Sequence, residues 1–387
     1  MIPDALAIER ATVLADPDAP PRAGMTIVVE DGRISRIGPH VEVPRGARRI
    51  DANQGFVVAG FWNAHVHFTE PSWNDAARAA PGPLDSALRA MLTSHGFTSV
   101  VDTGSDPRIT IPLRRRIVSG ELAGPNVRTA GPSIFPADGI PYYLADSLPE
   151  EVRPLVPQPA TPEAAAETVR EIVALGADVI KIFTGSYVAR GEIRHMPEPV
   201  ARAAVEAAHR AGRLVYSHPS DGDGVRIALG AGVDILAHPP DTVDGPEGIP
   251  IRALVERGAR MTPTLSMFAR TVRDDDAYLE PIRAVVREFH RQGGQLIFGT
   301  DVGYMPDPTV DREVAELVRC GLAPREVLRA LTTRPAETFG VGEEVGALRP
   351  GFRGDLAVLD GDPIEDPSAF SRVRATVRSG AVLYERP

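Results

Sequence analysis

Eight short apolar segments alternate with longer segments of helical character through the middle of this 387-residue chain. The stretches between them, such as 161–176 and 199–212, carry apolar residues at helical spacing and end in glycine, as many helices do. Strands that alternate with helices are typical of βα units around a parallel sheet. Eight such units predict an α/β fold with a (β/α)8 TIM barrel of roughly 250 residues. The apolar segments cover residues 56–65, 98–102, 127–130, 178–183, 214–217, 234–237, 260–264 and 295–300.

Both ends of the chain have a different pattern, in which short β-like runs are separated by Asp-Gly and Gly-Pro turn signals. Such runs occupy 25–30 and 33–38 near one end, and 355–360 and 373–383 near the other. We therefore predict a small composite β-sandwich from residues 1–58 and 345–387, with the barrel over 59–344.

Composition narrows the classes of partner that we expect. The net charge of -10 disfavours a nucleic-acid surface. Cys320 is the only cysteine, which excludes an intrachain disulfide and fits a reducing compartment. We see neither a signal peptide nor a run of about 18 apolar residues. We expect a cytoplasmic protein with a small-molecule substrate and no membrane partner, and self-association into a homo-oligomer stays open.

Histidines mark the ends of several predicted strands. His65 and His67 end the first barrel strand, and residues two apart on a strand share a face, so both rings can reach one ion. Barrel enzymes build their sites at the carboxyl ends of strands. Neutral imidazoles and a carboxylate suit Zn²⁺ and similar ions, so this rim is predicted to be a metal centre. The residues that end the fourth, fifth, sixth and eighth strands are Lys181, His218, His238 and Asp301.

Lys181 is the only lysine among 42 Lys+Arg residues. A composition that uses arginine wherever it serves implies that the amine at residue 181 has a chemical role. A lysine amine can lose its proton and react, whereas the arginine guanidinium effectively cannot. An amine that has reacted with CO₂ becomes a carbamate, whose two oxygens can bridge two metal ions.

This ordered set of residues resembles the amidohydrolase superfamily, in its branch with two metal ions and a carbamylated lysine. The resemblance covers nearly the whole chain, since 348–360 (LRPGFRGDLAVLD) is similar to the family's returning sandwich strand. The segments Lys181-Ile-Phe-Thr-Gly, 208–212 (AHRAG) and 232–238 (GVDILAH) are most similar to prolidase-like and imidazolonepropionase-related members.

The resemblance implies a role for each residue at the rim. It implies that carbamylated Lys181 lies between two divalent ions, most simply Zn²⁺, with His65, His67 and Asp301 on the first ion and His218 and His238 on the second. A hydroxide bridging the metals would attack the substrate, and Asp301 would act as the catalytic proton acceptor and donor. The substrate that we expect has an amide or peptide-type C–N bond, as in a dipeptide or an N-acyl amino acid.

Three long connections follow strand ends and are candidate walls of the pocket, at 68–83, 132–159 and 185–199. We predict that an Arg/Tyr/His group in the third connection binds a substrate carboxylate, because arginine offers paired donors to that group. The candidate substrate-binding residues are Trp73, Tyr187, Arg190, Arg194, His195 and Tyr304.

Other functions stay open at this point. A lactone or phosphotriester hydrolase could use the same centre with two metals. A deaminase with one metal would use the histidines and Asp301, although His218-Pro-Ser-Asp221 has Asp where such enzymes commonly have Glu. A scaffold homologue without catalysis would have kept the barrel alone. About two, one or no bound ions per chain would separate the hydrolase, the deaminase and the scaffold.

Overall fold

The structure, a computed structural model, describes residues 5–146, 148, 150, 153–271, 275–306 and 310–386. Numbered along the chain, its strands are β1 (Ala5–Val13), β2 (Arg22–Glu30), β3 (Arg33–Gly38), β4 (Arg48–Asp51), β5 (Phe56–Ala59), β6 (Phe61–Val66), β7 (Phe97–Asp102), β8 (Asn126–Thr129), β9 (Val179–Phe183), β10 (Gly185–Ala189), β11 (Glu192–His195), β12 (Leu214–His218), β13 (Ile235–Leu236), β14 (Arg260–Met261), β15 (Gln295–Leu296), β16 (Leu356–Leu359), β17 (Val373–Arg378) and β18 (Ala381–Glu385). Its α-helices are α1 (Pro81–Met91), α2 (Pro107–Val118), α3 (Tyr142–Ala145), α4 (Pro162–Leu175), α5 (Glu198–Arg210), α6 (Gly222–Ala231), α7 (Ile251–Glu256), α8 (Leu265–Thr271), α9 (Asp276–Arg291), α10 (Asp311–Arg319), α11 (Pro324–Leu331) and α12 (Thr333–Thr338).

Parallel strands form the centre of the molecule, and each of the eight predicted apolar segments contains one of them. They pair in the orders β6-β7-β8 and β15-β14-β13-β12-β9. Every residue of β6 and β7 is buried, as expected for strands covered on both faces. The predicted (β/α)8 barrel is confirmed.

Backbone hydrogen bonds close the gaps between these two groups of strands. On one side, the Ile134 N–H donates to the Lys181 carbonyl at 2.9 Å. On the other side, the Asp301 N–H donates to the His65 carbonyl at 2.9 Å. The first and eighth strands are therefore neighbours, and the residues at their carboxyl ends meet at the rim.

Helices that cover the barrel begin and end where the sequence predicts. The Thr161 side chain accepts a hydrogen bond from the Ala164 N–H at the start of α4, and Gly176 ends that helix in a left-handed conformation. Hydroxyl caps and terminal glycines satisfy backbone groups that a helix leaves unpaired. Helices such as α2 and α5 pack their apolar faces onto the strands, so the main core lies between the two layers.

Strands from both ends of the chain form one eight-stranded sheet, in the order β18-β17-β16-β5-β1-β2-β3, with β4 also paired to β1. The C-terminal strand β16 is antiparallel to β5, so the two ends of the chain interlock. Their apolar side chains form a separate core that includes Ile27, Val57, Leu356 and Val377. The β-sandwich from both termini is confirmed, whereas its predicted boundaries at residues 58 and 345 stay predictions.

The predicted strand over 56–65 is two strands in the structure. It breaks at Gly60, between β5 of the terminal sheet and β6 of the barrel. A Cβ atom added to Gly60 would lie 2.3 Å from the Oγ1 of Thr98, so a side chain does not fit there. The chain passes from the sheet to the barrel at this glycine.

All three predicted long connections contain regular structure, and 68–83 includes a 3-10 helix at Pro71–Trp73 and the first residues of α1. The connection 132–159 includes the short helix α3, although its residues 147, 149 and 151–152 lie outside the described residues. The connection 185–199 is a hairpin of β10 and β11. Within the described ranges, no helix is both long and apolar enough to span a bilayer.

Candidate metal centre

The six predicted ligands lie on barrel strands or within a few residues after them. The ligand atoms of His65, His238 and Asp301 all lie within 4.8 Å of one another. The Asp301 carboxylate is central, because its oxygens lie 3.4 Å from His65 Nε2, 3.0 Å from His67 Nε2 and 3.7 Å from His238 Nε2. The structure thus brings residues from the first, sixth and eighth barrel strands together.

Hydrogen bonds to the Nδ1 atoms set the orientation of these rings. His65 Nδ1 lies 3.0 Å from the Ala237 carbonyl, and His67 Nδ1 lies 2.8 Å from the Gly104 carbonyl. A carbonyl can only accept, so Nδ1 carries a proton in each ring, and the neutral form of each ring has its lone pair on Nε2. His238 Nδ1 is 2.7 Å from the Thr264 hydroxyl, which can take either role.

These residues fit a divalent metal ion. The Nε2 atom of His65 is buried and has no hydrogen-bond partner among the described residues. An unpartnered buried nitrogen is costly unless a ligand such as a metal ion satisfies it. Several imidazole nitrogens beside one carboxylate are a donor set that Zn²⁺ accepts, and carbonyl partners on the opposite nitrogens are common for metal-binding histidines.

Lys181 and His218 line the adjacent part of the rim. Lys181 is only 2% exposed, and its Nζ lies 5.3 Å from the centre of the Phe183 ring. That ring stacks on His218 with a centroid distance of 4.6 Å, and the His218 ring is 4.7 Å from the His238 ring. His218 therefore lies between the Phe183 ring beside Lys181 and the group of ligands around Asp301.

Burial controls protonation at this rim. It lowers the pKa of Lys181 to about 7, and burial with the charge of Lys181 lowers the pKa of His218 to about 3. Burial also lowers the pKa of His65 and His238. These rings are therefore neutral near pH 7, the form in which imidazole binds metals.

His67 and Asp301 behave as an ion pair. Burial opposes charge on both groups, but the hydrogen bond and charge of Asp301 raise the pKa of His67. The nearby His65 and His67 in turn hold the pKa of Asp301 below its ordinary value, although burial alone would raise it. Asp301 is therefore an ionised carboxylate in a buried place, a state that favours a cation beside it.

The backbone is strained at two positions of the rim. Asp301 has a φ of 60° and Thr264 a φ of 47°, in the left-handed region that non-glycine residues rarely adopt. Such strain persists only where surrounding structure holds it, and it clusters at functional sites. Here it orients the Asp301 carboxylate and the Thr264 hydroxyl towards the histidines.

The predicted substrate-binding residues lie in different surroundings. The Tyr187 hydroxyl is 2.5 Å from the Thr242 hydroxyl, and His195 Nε2 is 2.9 Å from Asp221. Arg190 is exposed in the turn between β10 and β11. Arg194 lies 3.8 Å from Asp138. Tyr304 is 46% exposed, and its ring lies 5.8 Å from the ring of Tyr143. Trp73 is fully buried and packs against Phe68.

Sequence reasoning missed several residues beside the rim. The Gly104 carbonyl is a backbone group, so no residue type indicates it. Thr264 is the last residue of the predicted strand 260–264, and that position was an available signal. Asp241 comes three residues after His238, and its carboxylate accepts a hydrogen bond from the Tyr278 hydroxyl at 2.8 Å. Burial raises the pKa of Asp241 to about 6.

Comparisons with known proteins agree with this architecture. The model of the "Amidohydrolase family" matches residues 56–383. Ochratoxinase from Aspergillus niger is 24% identical over 97% of this chain and 86% of its own length. A crystal structure of a Xaa-Pro dipeptidase with bound methionine in the active site has a TM-score of 0.84 at 24% identity, covering 99% of this chain and 100% of that one. The crystal structure of A. niger ochratoxinase has a TM-score of 0.78 at 20% identity, with coverage of 99% and 96%.

The structural matches share the fold, while the family match extends over most of the chain, from β5 to β18. It includes every barrel strand and all six residues at the rim. This chain belongs to the amidohydrolase family and is a hydrolase that acts on carbon–nitrogen bonds.

Proposed function

We propose that the chain is a metal-dependent hydrolase with two divalent ions, most simply Zn²⁺, and a carbamate on Lys181. The observation that carries this proposal is the place of the only lysine, buried beside His218 and within the electrostatic reach of Asp301. Among the described residues, no carboxylate lies within 4.0 Å of its Nζ, so ion pairing does not explain a buried amine there.

A neutral amine at residue 181 is suited to react with CO₂. The nitrogen would form a bond to the CO₂ carbon and release one proton, which leaves a carbamate with one negative charge. Its two oxygens suit the space between two cations. Arginine offers no comparable reaction, because its guanidinium does not lose its proton in proteins.

The residues would share the two ions between them. His65, His67 and Asp301 would hold the first, His218 and His238 the second, and the Lys181 carbamate would join both. When bound, the ions would lower the pKa of water and polarise the carbonyl to be attacked. The Asp301 carboxylate would hold the proton released from that water and pass it to the leaving nitrogen.

The bond that we propose is an amide or peptide-type C–N bond, in a dipeptide or an N-acyl amino acid. Ochratoxinase and a Xaa-Pro dipeptidase are among the similar proteins, and they support this class. Arg190 and His195 lie on the hairpin β10–β11, which follows directly after the Lys181 strand. Arg190 would bind the carboxylate of such a substrate, and His195, whose Nε2 is paired with Asp221, would contribute through Nδ1.

A deaminase with one metal is the second candidate, because His65, His238 and Asp301 alone form a compact group of three ligands. Asp221 speaks against it. Its carboxylate caps the start of α6 by accepting a hydrogen bond from the Gly224 N–H at 2.8 Å, and it lies 2.9 Å from His195 Nε2. It is therefore held at the helix start, on a side chain one carbon shorter than the Glu that such enzymes commonly have.

Metal analysis combined with a substrate panel tests the proposal. The purified chain is loaded with Zn²⁺ in bicarbonate and assayed on dipeptides, N-acyl amino acids, lactones, aryl phosphotriesters and aminopurines. We expect about two ions per chain and turnover of the first two classes. About one ion with release of ammonia from an aminopurine would replace the proposal by the deaminase. Turnover of lactones or phosphotriesters alone would keep the metal centre but reject the C–N substrate, and no bound metal would reject the centre.

A further inference from the structure

Asp102, the last residue of β7, is a fully buried carboxylate without a part in the proposed chemistry. Its Oδ1 accepts hydrogen bonds from the Ser105 hydroxyl at 2.6 Å and from the Gly104 N–H at 3.2 Å. Its Oδ2 accepts one from the Thr129 hydroxyl at 2.6 Å. A buried carboxylate with three donors converging on it is held in one orientation.

Two of these contacts lead to His67. The carbonyl of Gly104 lies 2.8 Å from Nδ1 of His67. The hydroxyl of Ser105 accepts a hydrogen bond from the N–H of Phe68, the next residue along the chain, at 2.9 Å. Asp102 therefore fixes the groups that hold the His67 ring and the backbone beside it.

The chemistry of these groups determines which one donates and which one accepts in each hydrogen bond. The Phe68 N–H can only donate, so the Ser105 oxygen accepts from it and gives its own proton to Asp102. The Gly104 carbonyl can only accept, so the ring proton of His67 stays on Nδ1. When the ring is neutral, as metal binding requires, its lone pair is then on Nε2, the atom that lies 3.0 Å from Asp301. Residue 102 has to be a pure acceptor, as an ionised carboxylate is.

We propose that Asp102 is a positioning residue for His67, which holds the Gly104 carbonyl and the Ser105 hydroxyl so that His67 Nε2 is directed at a bound divalent cation. This inference rests on the proposed function, in which His67 is a metal ligand. Partners behind a metal-binding histidine fix its tautomer and orientation, and their loss weakens metal binding.

The variant Asp102→Asn tests the inference, since it keeps the size of the side chain but replaces one acceptor oxygen with an NH₂ donor. We expect the affinity for Zn²⁺, measured by competition with a chelator, to fall roughly 10- to 100-fold. We also expect the visible spectrum of the Co²⁺-substituted protein to change, because one ligand is displaced.

Asp355→Asn is the matched control. Asp355 is another buried carboxylate, and it accepts hydrogen bonds from the Ser379 N–H at 2.8 Å and from Arg353 at 2.9 Å within the terminal sheet. This variant should lose stability to urea and keep the Zn²⁺ affinity and the Co²⁺ spectrum of the wild type. Wild-type affinity and an unchanged spectrum in Asp102→Asn would overturn the inference.

If Asp102→Asn does not fold, Ser105→Ala removes one of the two links to His67. A weaker affinity for Zn²⁺ then supports the inference, and an unchanged one rejects it. Absence of tight metal binding in the wild type would instead reject the proposed function. In that case ¹⁵N spectra of the histidine rings in the metal-free protein test the inference about Asp102. The wild type should carry a proton on Nδ1 of His67, and Asp102→Asn or Ser105→Ala should lower the fraction of rings that carry it.

Discussion

The Nε2 atom of His67 lies 3.0 Å from Oδ1 of Asp301, which joins the first and last strands of the barrel at one point. Close packing of the backbone supports this contact. The His67 N–H donates to the Val302 carbonyl at 2.8 Å, and a Cβ added to Gly303 would lie 1.9 Å from the His67 carbonyl oxygen. The centre therefore depends on how tightly two loops approach each other.

The variant Gly303→Ala should move residue 67 and disrupt the centre. Gly258→Ala is the control, because both glycines have positive φ but nothing lies within 4 Å of a Cβ at residue 258. Positive φ alone costs an alanine about 1 kcal/mol. We expect both variants to show that loss in urea unfolding, and only Gly303→Ala to lose more stability together with most of its bound metal and activity. Equal behaviour of the two variants would show that the close approach at residue 303 is unimportant.

The variants Lys181→Arg and Lys181→Ala should both lose the second metal ion and nearly all hydrolysis, since neither side chain can form a carbamate. Short carboxylic acids should restore part of the activity of Lys181→Ala, because they can bring two oxygens to the vacated space. Lys181→Arg, which leaves no such space, should not respond.

The proposed carbamate should be observable by ¹³C NMR in ¹³C-bicarbonate. Lys181 is the only lysine, so a lysine carbamate signal in the wild type has one source, and Lys181→Arg should lack it. A fully active Lys181→Arg enzyme would reject the centre with a bridging carbamate.

Replacement of Arg190 by alanine should raise KM for substrates with a free carboxylate, by about tenfold for the loss of one charged hydrogen-bonding partner. The kcat should change little, because Arg190 does not belong to the rim. Arg194→Ala is the comparison, and its smaller effect is expected because Arg194 lies 3.8 Å from Asp138. Initial rates give KM for an N-acyl amino acid and for its methyl ester, which lacks the free carboxylate. We expect KM to rise only for the acid. The same rise in KM for both would mean that the carboxylate is bound elsewhere.

Glu313 should make the stability of the chain depend on pH. It is buried on α10, where its Oε2 accepts a hydrogen bond from the Ser266 N–H at 2.7 Å, and burial raises its pKa to about 7. The unfolded value is about 4.3, so between these values the folded chain holds a proton that the unfolded chain has lost. The free energy of unfolding therefore falls as pH rises through this window and levels off above about pH 7.

The variant Glu313→Gln has no proton to lose and should remove this contribution. Between about pH 5 and about pH 8, urea unfolding of the metal-free wild type should lose on the order of 2 kcal/mol more stability than the variant. Parallel curves for the two proteins would contradict the raised pKa of Glu313.

The sequence predicted the barrel and the common position of six residues at its rim because both follow from periodicity and strand polarity. It did not predict the break at Gly60, because apolar residues continue on both sides of that single glycine. The hairpin β10–β11 was also missed, although Gly191 at its turn was a local signal.

Side-chain surroundings were harder to predict than strand positions. Trp73 is a predicted pocket residue because it lies in a long connection after a strand end, and in the structure its ring packs inside against Phe68 with ring centroids 5.1 Å apart. The contacts of Asp102 and Thr264 join segments that are distant in the sequence. Their partners depend on tertiary packing, which local pattern does not encode.

The pairing of the first barrel strand with the last one also orders the events of biosynthesis. The ribosome synthesises His65 and His67 long before Asp301, and it synthesises β5 even longer before β16, the strand that pairs with β5. Contacts between such distant segments form late, since the intervening chain has to be made and ordered first. The nascent chain therefore exposes two histidines without their carboxylate, and insertion of the proposed metal ions would have to follow translation of nearly the whole protein.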